Sequence, residues 1–450
     1  MKILIIYLLT QLIICNQDTL ILIQDKVITK NDFIRRAEYT IRPDYCKSNN
    51  NVHKKVILNS LIAEKLFAIE NSDNKIKNES VLDYIDGIKK QAMRKVMLEE
   101  YVNKNIKLDD NLIAKLYNNA QLEYNVNFIT LNETQISQIN STASFIEIAK
   151  ELKIKPETKN INFFNCTNNQ IWNQFYNKET ILEGDLIGPI LLSNEDAILI
   201  SVLKKKRKTI INQQSQIEQY NKIRDYYIEM ESSKIRQELI SKLMNKKEMK
   251  FDKNTFINFA NQYYENKKGI EVDTEKTLFS LDGKLWTVQD VINIINSHPL
   301  VFRESYLNKK EFYTQFKFAL ADLVRDYFLT NKAVQENYEN HPAVINEVNV
   351  WNDYTLAINK KNQILSENIM SNNYSNEYDL VKNILNQESE SLFNQYSESI
   401  VIDVDMFNEI ELSRTDMIVI NINKPYQLTV PPFPTLTIKN NLNYGVKKPI

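Results

Sequence analysis

The stretch KKVILNSLIAEKLFAIE, Lys54 to Glu70, sets its apolar side chains at helical spacing: Leu58, Leu61, Ile62, Leu66 and Ile69 fall on one face. Such a stripe must be buried against another element, so it dictates packing as well as local structure. Ile85, Ile88, Ala92, Met93 and Val96 repeat the pattern, and Leu112, Ile113, Leu116 and Tyr117 form a shorter face behind Asp109 and Asp110, carboxylates suited to a helix N-terminus. Helical spacing returns up to about Ile240, and again from Val288 to about Asn373. Between these regions the period changes. EYNVNFITL, Glu123 to Leu131, alternates as a strand does, and IGPILLSNEDAILISVL, Ile187 to Leu203, reads as two strands about a polar turn at Ser193 to Asp196. The expected fold class is α+β and mostly helical, with helical modules flanking a small α/β domain.

Composition narrows the function. A chain of 450 residues suggests about three domains, and 43% hydrophobic with 25% charged residues is the balance of a globular protein. The formal net charge of -1 offers no basic surplus for nucleic acid. Six glycines and three histidines leave little material for phosphate-cradling loops or histidine-built metal sites, so neither a cofactor nor a metal is expected. The basic run KKKRK, Lys204 to Lys208, reads as a solvated boundary.

The opening MKILIIYLLTQLIIC pairs one early lysine with an apolar run too short for a spanning helix, the pattern of an export signal over residues 1–15. Cys15 sits where a lipoprotein signal places its lipidated cysteine, with Ile14 where a small residue is usual. Lipidation and simple cleavage both stay open, as does an N-terminal strand or helix of a cytosolic protein. Cys46 and Cys166 remain, able to pair in an oxidising compartment or to stay free and buried.

Two distant stretches read alike: DKVITKNDFIRRAE, Asp25 to Glu38, and DGKLWTVQDVINII, Asp282 to Ile295. In each a β-prone pair leads to a Thr-x-x-Asp, Thr29 with Asp32 and Thr287 with Asp290, the spacing of a capping box that opens a helix. An internal duplication is expected. Near the end VPPFP, Val430 to Pro434, favours an extended polyproline-like tail or linker, and the alternation in SIVIDV, Ser399 to Val404, one strand.

The order of these pieces resembles the SurA and PrsA group of exported foldases, which join a helical chaperone domain to a parvulin-type peptidyl-prolyl isomerase domain. The likeness runs over roughly residues 20–210: ITKNDFIRR, the two long helical segments, then KLDDNLIAKLYNNAQLEYNVNFITL, with FIEIAKEL, INFF, QIWNQF and EGDLIGPI following in the order of a parvulin domain. The resemblance implies a helical chaperone-like domain over 16–120 and a parvulin-like domain over 121–206; the periodicity adds a second helical region over 207–390, with a repeat of the N-terminal unit, and a strand-containing irregular tail over 391–450. It places Ile171 and Phe175 at apolar positions of the proline pocket, although two residues four apart also suit the inner face of a helix. The second pocket aromatic falls near Glu179, the first-strand histidine at Asn127, and the last-strand histidine within Asp196 to Ile198; no histidine occurs between His53 and His298. The implied function is an exported, envelope-associated foldase that binds unfolded polypeptides, tethered to the membrane if Cys15 is lipidated, with isomerase activity weak or lost. An envelope assembly lipoprotein with one fixed partner and no catalysis is the alternative.

Overall fold

A computed structural model describes residues 18–47, 50–74, 76–139, 143–164, 166, 171, 181–192, 196–207, 213–244, 248–265, 273–281, 283–297, 309–369, 376–413 and 430–450. Residues 1–15, read above as an export signal, with Cys15, and Phe175, Glu179 and the turn at 193–195 lie outside the described residues. The fold is α+β and mostly helical. The chain forms two compact units, Met1–Glu99 with Leu243–Ile450, and Glu100–Lys242.

The first unit opens on a hairpin, β1 (Thr19–Ile23) and β2 (Lys26–Thr29), that leads into α1 (Lys30–Glu38). Thr29 Oγ1 accepts from Asp32 N at 3.0 Å and the Asp32 carboxylate accepts from Thr29 N at 3.2 Å, so two free backbone donors are satisfied and the helix starts there. Two long helices follow, α2 (Asn51–Glu70), capped by Asn50, and α3 (Glu79–Asn105).

The second unit holds α4 (Asp110–Ala120), β3 (Leu122–Leu131), α5 (Phe145–Glu151), β4 (Glu157–Ile161), β5 (Leu186–Leu191), β6 (Ala197–Arg207) and most of α6 (Gln213–Met244). Asp109 caps α4, and a Ser144 and Glu147 capping box starts α5. The strands make one antiparallel sheet in the order β4-β3-β6-β5. Because successive side chains alternate across a strand, Tyr124, Val126, Ile200 and Val202 share one face, packed with Ile113 and Leu116 of α4 and Ile223 and Tyr227 of α6. Ile129, Leu131, Ala197 and Leu199 take the other, covered by Phe145, Ile148 and Ala149 of α5.

Back in the first unit, the chain runs through β7 (Met249–Phe251), α7 (Lys253–Glu265), β8 (Thr277–Leu281), β9 (Lys284–Thr287), α8 (Val288–Ser297) and α9 (Lys309–Gln335). It ends in α10 (Pro342–Ile369), α11 (Asn386–Gln395), β10 (Ile400–Ile402), α12 (Val404–Glu409) and β11 (Val446–Lys447). The duplication extends well beyond the two matching stretches. In the first hairpin Thr19 faces Thr29 and Ile21 faces Ile28; in the second Thr277 faces Thr287 and Phe279 faces Trp286, a constant spacing of 258 positions, as 277 stands to 19 and 287 to 29. Each hairpin gains a third strand, β10 with Ile402 opposite Ile21, and β7 with Phe251 opposite Phe279. Each third strand leads to an aspartate-capped helix: Asp403 accepts from Met406 N at 2.9 Å, and Asp252 from Thr255 N at 2.8 Å. The first unit is therefore two copies of one lobe. One takes its third strand from the segment just before it, the other from the C-terminal part of the chain.

The copies also exchange helices. α10, which follows the second lobe, packs on α2 of the first, where Lys65 and the Lys26 ammonium share the Asp353 carboxylate at 2.8 and 2.6 Å and Arg35 binds Glu347 through two bonds of 2.8 and 3.0 Å. α3, which follows the first lobe, reaches α9 of the second, where Arg94 stands 3.7 Å from Asp326 and donates to Thr330 at 2.8 Å. Tyr84 of α3 meets Trp351 of α10 edge-on at 5.1 Å. The first lobe is buried around Leu20, Ile21, Phe33, Leu58, Ile62 and Phe67, the second around Phe259, Leu278, Phe279, Trp286, Phe316 and Leu320.

VPPFP does not trail as a tail or linker. Phe433 and Leu436 sit in the first lobe's core, where proline's preset φ reduces the entropy lost on fixing an extended segment.

Candidate functional site

Of the residues singled out by the resemblance, Asn127 and Ile198 lie on the sheet of the second unit and Ile171 packs against it. Asn127 lies mid-β3, between Thr158 of β4 and Ser201 of β6, and its Oδ1 accepts from the Thr158 hydroxyl at 2.7 Å. Its neighbours Val126 and Phe128 point to the opposite face, and that face is the one Ile171 packs against. The sheet thus separates Asn127 from Ile171. Asn127 spends its carbonyl on a cross-strand bond, and Ile171 is a half-buried member of an apolar cluster.

Part of that cluster is only partly covered. Phe128, Phe163, Cys166, Ile171, Ile198 and Tyr226 are only half-buried there. Phe163 stands edge-on to Tyr226 at 5.2 Å and to Phe164 at 5.1 Å, and Phe164 is 39% exposed. The sequence singled out Ile171 and the INFF step, and not Phe128, Cys166 and Tyr226, as neighbours on this face. Phe128 was legible as an apolar position of the alternating strand; Tyr226 lies on a helix beyond the module and gave no local signal. Of the last-strand positions, Ala197 faces α5, whereas Ile198 joins the cluster of Ile171.

Gly188 shapes the far edge of the sheet. It has φ +115°, and a Cβ there would stand 2.5 Å from Ile198 O, so only glycine lets β5 lie this close to β6. A bulge between Ile187 and Ile190 accommodates it.

Electrostatically this face is quiet. Burial pushes the Tyr226 phenol up to about 12, with Cys166 adding to the rise, so the hydroxyl stays neutral at physiological pH. Neither Cys46 nor Cys166 is joined in a disulfide, and burial pushes the Cys46 thiol up to about 12 as well. Among the described residues no cluster of metal-ligating side chains occurs, and no helix is long and apolar enough to cross a membrane. The arrangement leaves Ile171 and Phe163 half-buried among apolar neighbours. Accelerating X-Pro rotation would further require polar groups that bind the twisted imide more tightly than the planar one, and the half-buried ring of residues supplies aromatic carbon, aliphatic carbon, a thiol and a neutral phenol.

No family model matches the chain, and no curated protein does. Among solved structures, the chain is similar to the foldase protein PrsA from Streptococcus pneumoniae str. Canada MDR_19A, at 18% identity over 50% of this chain and 91% of that one, with a TM-score of 0.20. It is also similar to the foldase protein PrsA from Lactococcus lactis, at 12% identity over 54% of this chain and 98% of that one, with a TM-score of 0.17.

Proposed function

We propose that the protein is an exported foldase of the envelope that binds unfolded polypeptides, with a parvulin-like module over 121–206 whose isomerase activity is weak or lost. The observation that carries this reading is the half-buried apolar rim of Phe128, Phe163, Ile171 and Ile198 on one face of the sheet, with Asn127 turned to the other face. Binding an extended apolar segment needs accessible apolar surface; isomerisation needs a shaped pocket with polar partners as well. In this reading Ile171, with Phe175 beyond the described residues, takes the client side chain, and Cys15 tethers the protein to the membrane if it is lipidated. The client is recognised as apolar, extended chain, and no cofactor enters.

The experiment is suppression of aggregation of three unrelated unfolded proteins, with the wild-type chain and with Ile171→Asp. The wild type should protect all three, and the carboxylate should reduce protection at least fivefold while far-UV dichroism is unchanged. Protection of none, or stable capture of a single folded partner, would favour an assembly component with a fixed partner instead.

A further inference from the structure

The two seats at which the lobes exchange helices carry opposite charge. On the first lobe, Lys26 of β2 and Lys65 of α2 hold the Asp353 carboxylate of α10 at 2.6 and 2.8 Å, and Arg35 of α1 holds Glu347 of the same helix through two bonds. Cations there receive carboxylates from the incoming helix. On the second lobe the signs are reversed: Asp326 of α9, itself bound by Arg325 at 2.9 Å, receives the Arg94 guanidinium of α3 at 3.7 Å, and Thr330 accepts from the same guanidinium at 2.8 Å. Both seats are buried, the side chains of Lys65 and Asp353 being 6% and 5% exposed and those of Arg94 and Asp326 2% and 3%. A charge buried this far is costly without its partner, so each seat selects against a helix that lacks the matching sign.

Chain connectivity does not impose the exchange. Residues 71–78 join α2 to α3 and residues 336–341 join α9 to α10, links of a length that ordinarily lets a helix fold back on the one before it. The lobes themselves differ. The spacing of 258 positions between the hairpins continues through the long helices, where Leu58 and Phe316, and Ile62 and Leu320, are all fully buried, so the seats can be compared position by position. Arg35 and Lys65 of the first lobe correspond to Asn293 and Leu323 of the second, and Ala68 of the first to Asp326. Lys26 keeps its charge, as Lys284, whose ammonium lies over the Trp286 ring at 5.1 Å. Seated the same way on the lobe it follows, α10 would bury Asp353 beside Leu323 in place of Lys65. Seated on the lobe it follows, α3 would set Arg94 at Ala68, one turn from the Lys65 ammonium and without the Asp326 carboxylate.

We infer that the exchange is set by a charge code at these positions. The first lobe takes an acidic helix because of Arg35 and Lys65, the second takes a basic one because of Asp326, and Asp353 and Arg94 are the charges by which α10 and α3 are told apart. The code decides whether the two lobes hold together through crossed helices or close each on its own following helix, the choice that separates an exchanged fold from an unexchanged one. The inference is independent of the foldase reading, since it uses no client and no property of the second unit.

The test moves the code within the full chain. Arg35→Asn, Lys65→Leu and Ala68→Asp give the first lobe the residues of the second, and Asn293→Arg, Leu323→Lys and Asp326→Ala do the converse, so each new residue already stands at the matching place in the other lobe. Seating is read by pulsed dipolar electron paramagnetic resonance between spin labels attached through introduced cysteines, in a chain whose own cysteines are replaced by alanine. Asn346 of α10 stands 3.4 Å from Asp32, so labels at Asn349 and Asn31, both exposed, report α10 on the first lobe; labels at Asn349 and Gln289, the counterpart of Asn31, report it on the second. With the native code the short distance should be that of Asn31 with Asn349. The transplanted code should lose it and give a short distance for Gln289 with Asn349. Persistence of the Asn31 distance in the transplant overturns the proposal, because the links and the apolar packing would then set the exchange without the charges. Should the transplant lose its helical dichroism, Asn293→Arg with Leu323→Lys alone decides: the native seat is untouched, α10 then has two seats, and short distances should appear for both label pairs. A short distance for Asn31 alone in that variant overturns the proposal as well.

Discussion

The two helix caps of the duplicated lobes are chemically alike but sit in different surroundings, and that difference can be measured. In the first lobe the Thr29 hydroxyl accepts from Asp32 N at 3.0 Å and donates to Asp32 Oδ2 at 2.7 Å, and Asp32 is 6% exposed. Thr29→Ala removes a capping bond and a charge-assisted bond to a buried carboxylate, which keeps Thr29 N at 3.2 Å and Asn346 Nδ2 at 3.4 Å. A cap is worth about 1 kcal/mol and up to about 2 in favourable settings, and the added bond to a buried charge places this one near 2 kcal/mol. In the second lobe Thr287 Oγ1 accepts from Asp290 N at 3.1 Å, but Asp290 is exposed, so water replaces most of what Thr287→Ala removes. A loss of about 0.5–1 kcal/mol follows. Urea unfolding with Trp351 on α10 and Trp286 on β9 as separate reporters checks both values. Because α3 and α10 are exchanged between the lobes, each substitution should move both tryptophan transitions together. Equal losses at the two threonines would refute the role given to Asp32 burial, and two independent transitions would refute the exchange.

Other consequences follow from single contacts. Arg36 and Glu64 form a pair with side chains 4% and 1% exposed; Glu64→Leu strands the guanidinium and should cost about 3–5 kcal/mol, with Arg36→Met added to it recovering most of the loss in chemical denaturation. Tyr226 is raised from 10.0 to about 12 by burial, so its contribution is fully present below about pH 10 and is lost as pH rises towards 12; urea midpoints of the second unit should fall over that window, and less steeply in Tyr226→Phe. Cys46 is fully buried with its thiol pushed up to about 12, whereas Cys166 is half-buried; a thiol reagent should modify Cys166 in the native protein and Cys46 only on unfolding.

Much of the local structure was legible because its causes are local. The stripe from Leu58 to Ile69 lies in α2, EYNVNFITL lies within β3, and both Thr-x-x-Asp stretches open helices. Long-range pairing was not, because nothing near SIVIDV states that Ile402 will face Ile21 across most of the chain. Nor was the helix exchange, since Lys65 and Asp353 are ordinary charges on their own helices until packing brings them to 2.8 Å. The α2 helix is buried on nearly every side from Val56 to Ala68, which one apolar stripe does not predict: α10 packs on it, with Lys65 on Asp353, and the C-terminal segment reaches it at Asn59, which donates to Lys439 O and Asn441 O. At the candidate site, Ile171 was legible as an apolar position beside Phe175, but the face on which Asn127 lies depends on strand pleat and register, which a residue-by-residue match does not contain.

The central claim is binding without isomerisation, and refolding of a protein whose slow phase is an X-Pro rotation separates the two in one cuvette. Added in a hundredth of the substrate's amount, this chain should leave the rate of the slow phase within twofold of the uncatalysed rate, while added at equal amounts it should suppress aggregation of the same substrate. Acceleration of the slow phase tenfold or more at the substoichiometric amount would contradict the account, because it would require polar groups at Phe163 and Ile171 that bind the twisted imide.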